Sequence, residues 1–170
     1  VALVSDAGTP LVADPGQRLI AAAIQVGIRV VPIPGASAVL AALAASGYAA
    51  DAFVFAGFAP SRSKDRKHWL KRLAEEPRAV VFFETPHRIH ETLSEMAEIL
   101  VDRPIMVARE LTKLHETLVR TTARQAIVLQ IPDRGEFTVV LAPYSTPVSE
   151  HQVVDDEQLS DYFYQMTNSV

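Results

Sequence analysis

The chain has 170 residues, of which 49% are hydrophobic and 21% charged, and it contains no cysteine. That hydrophobic content is too high for a disordered chain, and the lack of cysteine excludes disulfides, thiolate metal sites and a cysteine nucleophile. The longest run of small apolar residues, 36–50, is shorter than the roughly 20 residues that cross a bilayer. We therefore expect a cytoplasmic protein with no membrane partner.

The net charge of −4 is unevenly distributed. Residues 144–170 contain five acidic and no basic residues, which leaves residues 1–143 close to neutral. A nearly neutral body neither requires nor excludes a nucleic-acid partner. The acidic tail, 144–170, is expected to be disordered or to form a loosely attached helix over 156–166.

The first 50 residues alternate between strand-like and helical segments. The chain opens directly on an apolar strand over 1–4, with no initiator methionine or targeting signal, so we expect that an amino-terminal part is missing. A helix capped by Asp14 is predicted over 15–26, a second strand over 28–33 and a buried helix over 37–46. This order is typical of a parallel sheet flanked by helices.

A domain boundary is predicted at residues 48–52, followed by a second α/β unit over 51–143. Its predicted elements are a strand over 51–60, a helix over 64–76, a strand over 78–83, a helix over 86–101, a strand over 105–109, a β-type stretch over 116–122, a helical or loop segment over 123–130 and a strand over 136–141. The sheet of this unit need not be wholly parallel.

Two turns rich in small residues follow the first two predicted strands. They are SDAGTP at 5–10 and IPGASA at 33–38. Because the carboxyl ends of parallel strands meet at one edge of a sheet, we expect the turns to lie side by side and form a shelf that a ligand can approach closely. An ordinary turn capped by aspartate, and a serine that only caps the next helix, are the alternatives.

Polar residues also cluster where later strands end. In FFETPHR, 82–88, Glu84 and His87 match a di-iron ligand pattern. That pattern needs both residues on one helix, and Pro86 is expected to begin the helix after Glu84, so we expect no metal site. In ARELTKLHE, 108–116, five ionisable residues occur within eight positions, which indicates either a salt-bridged surface loop or a site that activates a hydroxyl.

Residues 61–72, SRSKDRKHWLKR, form a basic segment with six basic residues and one acidic residue. Interleaved His68 and Trp69 make it a candidate for holding phosphates and stacking on a base. The alternative is a solvated helix face with Trp69 in the core.

Three further segments complete the pattern: DPG at 14–16, GFAPSRSK at 57–64 and RGEF at 134–137. In chain order with the two small-residue turns, FFETPHR and ARELTKLHE, they resemble the tetrapyrrole methylase superfamily, and within it the branch that modifies ribosomal RNA. The resemblance covers residues 1–141. It implies two α/β domains, S-adenosylmethionine in the cleft between them, and methyl transfer to the ribose 2'-hydroxyl of a cytidine in the 16S rRNA of the small ribosomal subunit by a homodimer.

The resemblance implies the cofactor contacts, and the chemistry of methyl transfer and the basic segment suggest further roles. The cofactor contacts expected are Ala7, Gly8, Thr9, Pro10, Val12, Ser37, Ala38, Phe83 and Gly135. Candidates for the base, or for polarising the acceptor, are Lys113, His115 and Glu84. The RNA contacts expected are Arg62, Lys64, Arg66, Lys67, Arg88 and Arg109.

The chain also departs from this family. The family begins with a further strand and a glycine-rich loop that are absent here, and the acidic tail replaces a basic helical region, so the isolated chain is expected to be much less active than the intact protein. Two alternatives remain. One is methylation of a small tetrapyrrole or precorrin, which the basic segment disfavours, and the other is an inactive chain that only binds RNA or dimerises through the strand at 53–58.

Overall fold

The computed structural model describes residues 1–144 together with residues 160 and 164. Its centre is a five-stranded mixed sheet in the order β1-β2-β5-β3-β4. The strands are β1 Phe53–Phe58, β2 Ala79–Glu84, β3 Pro104–Arg109, β4 Thr117–Thr122 and β5 Phe137–Leu141. The pair β1 and β2 is parallel, and the other pairs are antiparallel. The predicted mixed sheet of the second unit is therefore confirmed.

Four α-helices accompany the sheet. They are α1 Gln17–Gln25, α2 Ala38–Ser46, α3 Ser63–Ala74 and α4 Ile89–Ile99, and a short 3₁₀ helix covers Gln125–Val128. The serine predicted to cap α2 does so, because the Ser37 hydroxyl accepts a hydrogen bond from the Leu40 N–H at 3.4 Å. Helix α4 begins later than expected, because the N–H groups of Arg88 and Ile89 first close a turn on the Thr85 carbonyl.

The three inner strands, β2, β3 and β5, are buried on both faces, which explains their nearly continuous apolar sequences. One face, with Phe82 and Val107, shares a core with Leu70 of α3 and Leu93 of α4. The other face is covered by α2, whose buried residues contact the apolar side chains of β2, β3 and β5. All five residues of the central strand β5 are buried. The sheet is thus a rigid platform with helices on both sides.

The strands predicted at 1–4 and 28–33 are not formed. A strand needs a partner for its backbone hydrogen bonds, and neither run has one in the described part of the chain. Their side chains are largely exposed, including Val4 and Ile33. Helix α1 has no buried residue, and Gly16, rather than the predicted Asp14, occupies its N-cap position without a side-chain bond.

Among the described residues, no helix has the length and apolar character needed to cross a membrane. Apart from residues 144, 160 and 164, the acidic tail lies outside the described residues, and with it most of the helix predicted over 156–166. The domain boundary at 48–52 remains a prediction.

A buried arginine ties the sheet to the end of α3. The Arg103 guanidinium donates to the carbonyls of Ala142 at 2.9 Å, Leu73 at 2.6 Å, Glu76 at 3.0 Å and Arg78 at 3.3 Å. Because a lysine ammonium cannot reproduce this planar fork, Arg103→Lys is expected to lower the free energy of unfolding by about 2 kcal/mol, measured by urea denaturation.

The matched control is Arg124→Lys. Arg124 is exposed and lies 3.4 Å from Asp102, so its replacement is expected to cost less than about 0.5 kcal/mol. Equal stability losses in the two variants would show that Arg103 does not hold these elements together.

Candidate functional site

Most of the residues predicted to take part in catalysis lie at one edge of the sheet. Glu84 at the end of β2 and Arg109 at the end of β3 both pair in register with Phe137 at the start of β5. The loop after β3 carries Lys113 and His115, and the loop before β5 carries Gly135. Residues that are far apart in sequence therefore meet where three strand ends adjoin.

The two small-residue turns touch each other. The Thr9 hydroxyl donates to the Ala36 carbonyl at 3.2 Å. Gly8 has a left-handed φ of +74°, and a Cβ at this position would lie 3.9 Å from the same carbonyl oxygen. The turns lie side by side as expected, although the strands predicted before them are absent.

The backbone directly after the first turn adopts unusual conformations. Leu11 and Ala13 have φ angles of +74° and +58°, which side chains other than glycine rarely adopt. In the portion of the chain that the structure describes, the N–H groups of Gly8 and Ala38 donate to no acceptor. The paired turns thus present open donors next to a strained segment of backbone, and strained backbone is often found at ligand sites.

Helix α2 connects the paired turns to the sheet. Val39, in its first turn, belongs to the same apolar cluster as Ala108 and Val140, and Phe83 and Leu111 pack against that cluster. The turn that contains Ser37 and Ala38 is therefore anchored to the same core as Phe83. The remaining expected cofactor residues, Ala7, Pro10 and Val12, lie in the first turn or directly after it.

Glu84 is fully engaged by its neighbours. Its carboxylate is 2.7 Å from the Arg88 guanidinium and accepts bonds from the Thr92 hydroxyl at 2.6 Å and the Thr85 N–H at 2.7 Å. Its side chain has no exposed surface. These contacts do not support the prediction of Glu84 as a base, because both oxygens already accept bonds. Because the Arg88 guanidinium forms this ion pair with Glu84, the structure does not support an RNA contact by Arg88.

The Glu84 and His87 pair does not lie on one helix, since Glu84 ends β2 and His87 precedes α4. In residues 1–144, 160 and 164, no three histidine, aspartate or glutamate side chains group as a metal site.

Lys113 lies between two carboxylates. Its ammonium is 3.0 Å from Glu136 Oε2 and 3.1 Å from Glu110 Oε1. Hydrogen bonds to Glu136 and Glu110 raise the pKa of Lys113, while the Glu136 N–H and the Lys113 ammonium lower the pKa of Glu110. Lys113 therefore retains its proton, which argues against the predicted role as a base. It instead joins the loop after β3 to the loop before β5.

Arg109 holds the same two loops from inside. It is buried, and it donates to the carbonyls of Arg134 at 2.6 Å and His115 at 3.3 Å. Phosphate contact by Arg109, as predicted, is not supported, because its guanidinium is used within the fold. The His115 side chain is exposed, and it forms no hydrogen bond or ion pair within the described residues.

The basic segment divides into paired and unpaired cations. Arg66 has no exposed side-chain surface and pairs with Glu95 at 2.7 Å and Glu91 at 3.0 Å, so these contacts do not support the prediction that it contacts RNA. Lys67 is half-exposed but pairs with Glu98 at 3.0 Å. Arg62 and Lys64 remain exposed.

Glu136 received no role from the sequence, although it holds Lys113 and its N–H donates to Glu110 at 2.9 Å. The sequence shows only that Glu136 is an acidic residue that follows Gly135 and precedes a strand. Such a signal does not identify a partner 23 residues away.

Residues 1–127 match the family model of the tetrapyrrole (corrin/porphyrin) methylases, and the chain belongs to this family. Over 154 residues it is 46% identical to the ribosomal RNA small subunit methyltransferase I of Haemophilus influenzae, with coverage of 89% of this chain and 54% of that protein. The chain spans about half the length of the curated relatives it matches.

Solved structures with the same fold include a diphthine synthase, with a TM-score of 0.62, 19% identity and coverage of 79% of this chain and 57% of that chain. Another is the uroporphyrin-III C-methyltransferase of Thermus thermophilus complexed with S-adenyl homocysteine, with a TM-score of 0.51, 19% identity and coverage of 79% and 62%. At these identities the likeness shows the fold alone, and it confirms the fold class predicted from the sequence.

Proposed function

We propose that the protein uses S-adenosylmethionine to methylate the ribose 2'-hydroxyl of a cytidine in the 16S rRNA of the small ribosomal subunit, in the cytoplasm. The family to which the chain belongs consists of methylases, and its curated relatives are named as methyltransferases of small-subunit rRNA. The observation that carries the proposal is the hydrogen bond from Thr9 to Ala36, which joins the two turns.

The paired turns fit the polar parts of this cofactor. Its carboxylate and ribose hydroxyls need hydrogen-bond donors, and Gly8 and Ala38 offer open N–H groups. Small side chains at Ala7 and Gly8 leave the backbone accessible. Phe83 and Gly135 are proposed to contact the cofactor from the sheet edge. When bound, S-adenosylmethionine supplies the methyl group on its sulfonium centre.

The residues at the sheet edge are proposed to bind and deprotonate the ribose hydroxyl. The hydroxyl must lose a proton as its oxygen forms the new bond to carbon. We assign proton uptake to the imidazole of His115, because Glu84 and Lys113 are held in ion pairs. The Lys113 ammonium keeps the two loops together and provides positive charge near the developing alkoxide.

The exposed cations of the basic segment are proposed to bind the RNA backbone. Arg62 and Lys64 form no ion pair within the described part of the chain, so phosphate contacts there replace water rather than an existing partner. This unpaired charge favours a polyanionic substrate over a small tetrapyrrole.

The protein is further proposed to act as a homodimer. The exposed apolar side chains Leu19, Ile24 and Ile33 in the first 36 residues are available for burial against a second copy. Sedimentation of the complete protein tests this point, and a concentration-independent monomer would contradict it.

The proposed function is tested by methyl transfer to small ribosomal subunits that lack the modification, with the complete protein. We expect one methyl group on a cytidine ribose, detected by mass spectrometry of the digested rRNA. Methylation of a base, or of a tetrapyrrole instead of the rRNA, would exclude the proposal.

The cofactor site is tested by Gly8→Ala with Gly27→Ala as its control. Both glycines have a left-handed φ, at +74° and +76°, but only Gly8 contacts the second turn. We expect Gly8→Ala to weaken binding of S-adenosylhomocysteine about tenfold by calorimetry, because the added Cβ strains a turn that must approach the ligand. Equal affinities in the two variants would remove the paired turns from the site.

The assignment of His115 is tested by His115→Ala. Loss of a general base costs about 100-fold in turnover, whereas affinity for S-adenosylhomocysteine should not change. His87→Ala is the control, since His87 is also exposed near the sheet edge and has no assigned role. Wild-type turnover of His115→Ala would exclude His115 as the proton acceptor.

A further inference from the structure

An aromatic ring is exposed at the end of β1. Phe58 retains 51% of its surface, although its ring centroid lies 5.4 Å from that of Phe83 at an angle of 62°. Phe83 in turn contacts Phe55, with centroids 5.0 Å apart. Phe58 is therefore supported on one side by the ring of Phe83, which itself packs against Phe55, and it remains half-exposed to solvent.

The backbone fixes this ring in place. The register between β1 and β2 shifts between Phe55 and Phe58, where Gly57 adopts a φ of +70°. Beyond the shift, Phe58 pairs with Phe83, and the Ala59 N–H donates to the Phe83 carbonyl at 3.1 Å. A β-bulge of this kind reorients a side chain at the end of a strand. The ring is thus positioned before any ligand arrives.

Unpaired cations follow the ring directly. Arg62 and Lys64 lie four and six residues after Phe58, at the start of α3. Both side chains are exposed, and neither forms an ion pair in the described residues, unlike Arg66 and Lys67 on the same helix. An exposed aromatic ring followed within a few residues by unpaired positive charge offers the two kinds of contact by which proteins bind single-stranded nucleic acid.

We propose that Phe58 stacks against an unpaired nucleobase of the RNA, while Arg62 and Lys64 hold the adjacent phosphates. This inference rests on the proposed function and adds the means by which the substrate strand is held at the sheet edge. Stacking requires a flat aromatic surface but no particular base, so Phe58 provides affinity and position rather than sequence recognition.

The test uses the complete protein and a short cytidine-rich RNA that carries one 2-aminopurine, whose fluorescence falls when it stacks on an aromatic ring. The wild type is expected to quench the probe. Phe58→Trp should retain the quenching, because it keeps an aromatic surface. Phe58→Leu should abolish it and weaken RNA binding about tenfold, since a stacked base contributes roughly 1–3 kcal/mol.

Phe53→Leu is the matched control. Phe53 lies at the other end of the same strand and is also exposed, so its replacement should leave RNA binding unchanged. Replacing Arg62 and Lys64 by glutamine should reduce the dependence of RNA binding on salt, whereas Phe58→Leu should not alter that slope. Thermal melting establishes that each variant is folded.

The outcomes separate this inference from the proposed function. Absence of quenching by the wild type, or unchanged RNA affinity of a folded Phe58→Leu variant, would overturn the stacking even if rRNA methylation is confirmed. Loss of S-adenosylhomocysteine binding in Phe58→Leu would assign the ring to the cofactor and also overturn it. Failure of the wild type to methylate rRNA would instead reject the proposed function.

Discussion

Replacing Arg66 by methionine is expected to lower the free energy of unfolding by about 3–5 kcal/mol. The Arg66 guanidinium has no exposed surface and makes two bonds to the Glu95 carboxylate, at 2.7 Å and 3.0 Å. Glu95 itself is buried, so methionine would leave its charge without a counterion inside the contact between α3 and α4. The measurement is urea denaturation at neutral pH.

Lys67→Met is the control for this prediction. Lys67 also joins α3 to α4, through an ion pair with Glu98 at 3.0 Å, but both side chains are largely exposed. Its loss should cost less than about 1 kcal/mol. The double replacement of Arg66 and Glu95 by methionine should be less damaging than Arg66→Met alone, because no buried charge is left unpaired and Glu91, which also loses Arg66, is exposed. Similar costs for the single variants would contradict a buried ion pair.

The buried ion pair of Arg66 and Glu95 also predicts how the stability of the protein depends on pH. Burial alone would raise the pKa of Glu95, but bonds from Arg66 and Ser63 outweigh it and lower the pKa below the usual 4.5. A lowered folded-state pKa stabilises the protein above the unfolded value, and this stabilisation is lost as the pH falls through the folded value. The wild type should therefore lose stability below about pH 4.5, and Arg66→Met should reduce or reverse this loss. An unchanged pH dependence in the variant would contradict the coupling.

Arg66 also shows what the sequence could not reveal. Six basic residues within 61–72 predict a cationic surface, and for Arg62 and Lys64 the exposure agrees with that prediction. Arg66 differs because the packing of α3 on α4 places it opposite a carboxylate 29 positions later. Helical spacing identifies the face of one helix, but the identity of the opposing residue depends on tertiary structure.

The strands of the sheet could be predicted from the sequence, but not all predicted strands formed. Apolar runs marked four strands between residues 51 and 143, a β-type stretch over 116–122 marked the fifth, and each of these segments contains a strand in the structure. Similar runs at 1–4 and 28–33 predicted strands that are not formed. An apolar run indicates a tendency to be buried, whereas a strand also requires a neighbouring strand for its hydrogen bonds.

Gly135→Ala is expected to lower the free energy of unfolding by about 3 kcal/mol. Gly135 has a left-handed φ of +90°, and an added Cβ would lie 2.6 Å from Glu110 Cγ. Glu110 cannot move away without loss, because its Oε1 accepts bonds from Lys113 at 3.1 Å and from the Glu136 N–H at 2.9 Å. The substitution should therefore strain the backbone and separate the two loops that form the sheet-edge site.

Gly57→Ala separates these two effects. Gly57 has a φ of +70° but nothing within 4 Å of an added Cβ, so it should show the backbone cost alone, about 1 kcal/mol. Adding Glu110→Ala to Gly135→Ala removes the clashing atoms and should recover part of the difference. Equal unfolding free energies for Gly57→Ala and Gly135→Ala would mean that the Glu110 side chain moves away from the added Cβ at no cost in stability. The contact between the two loops would then not be what positions Lys113.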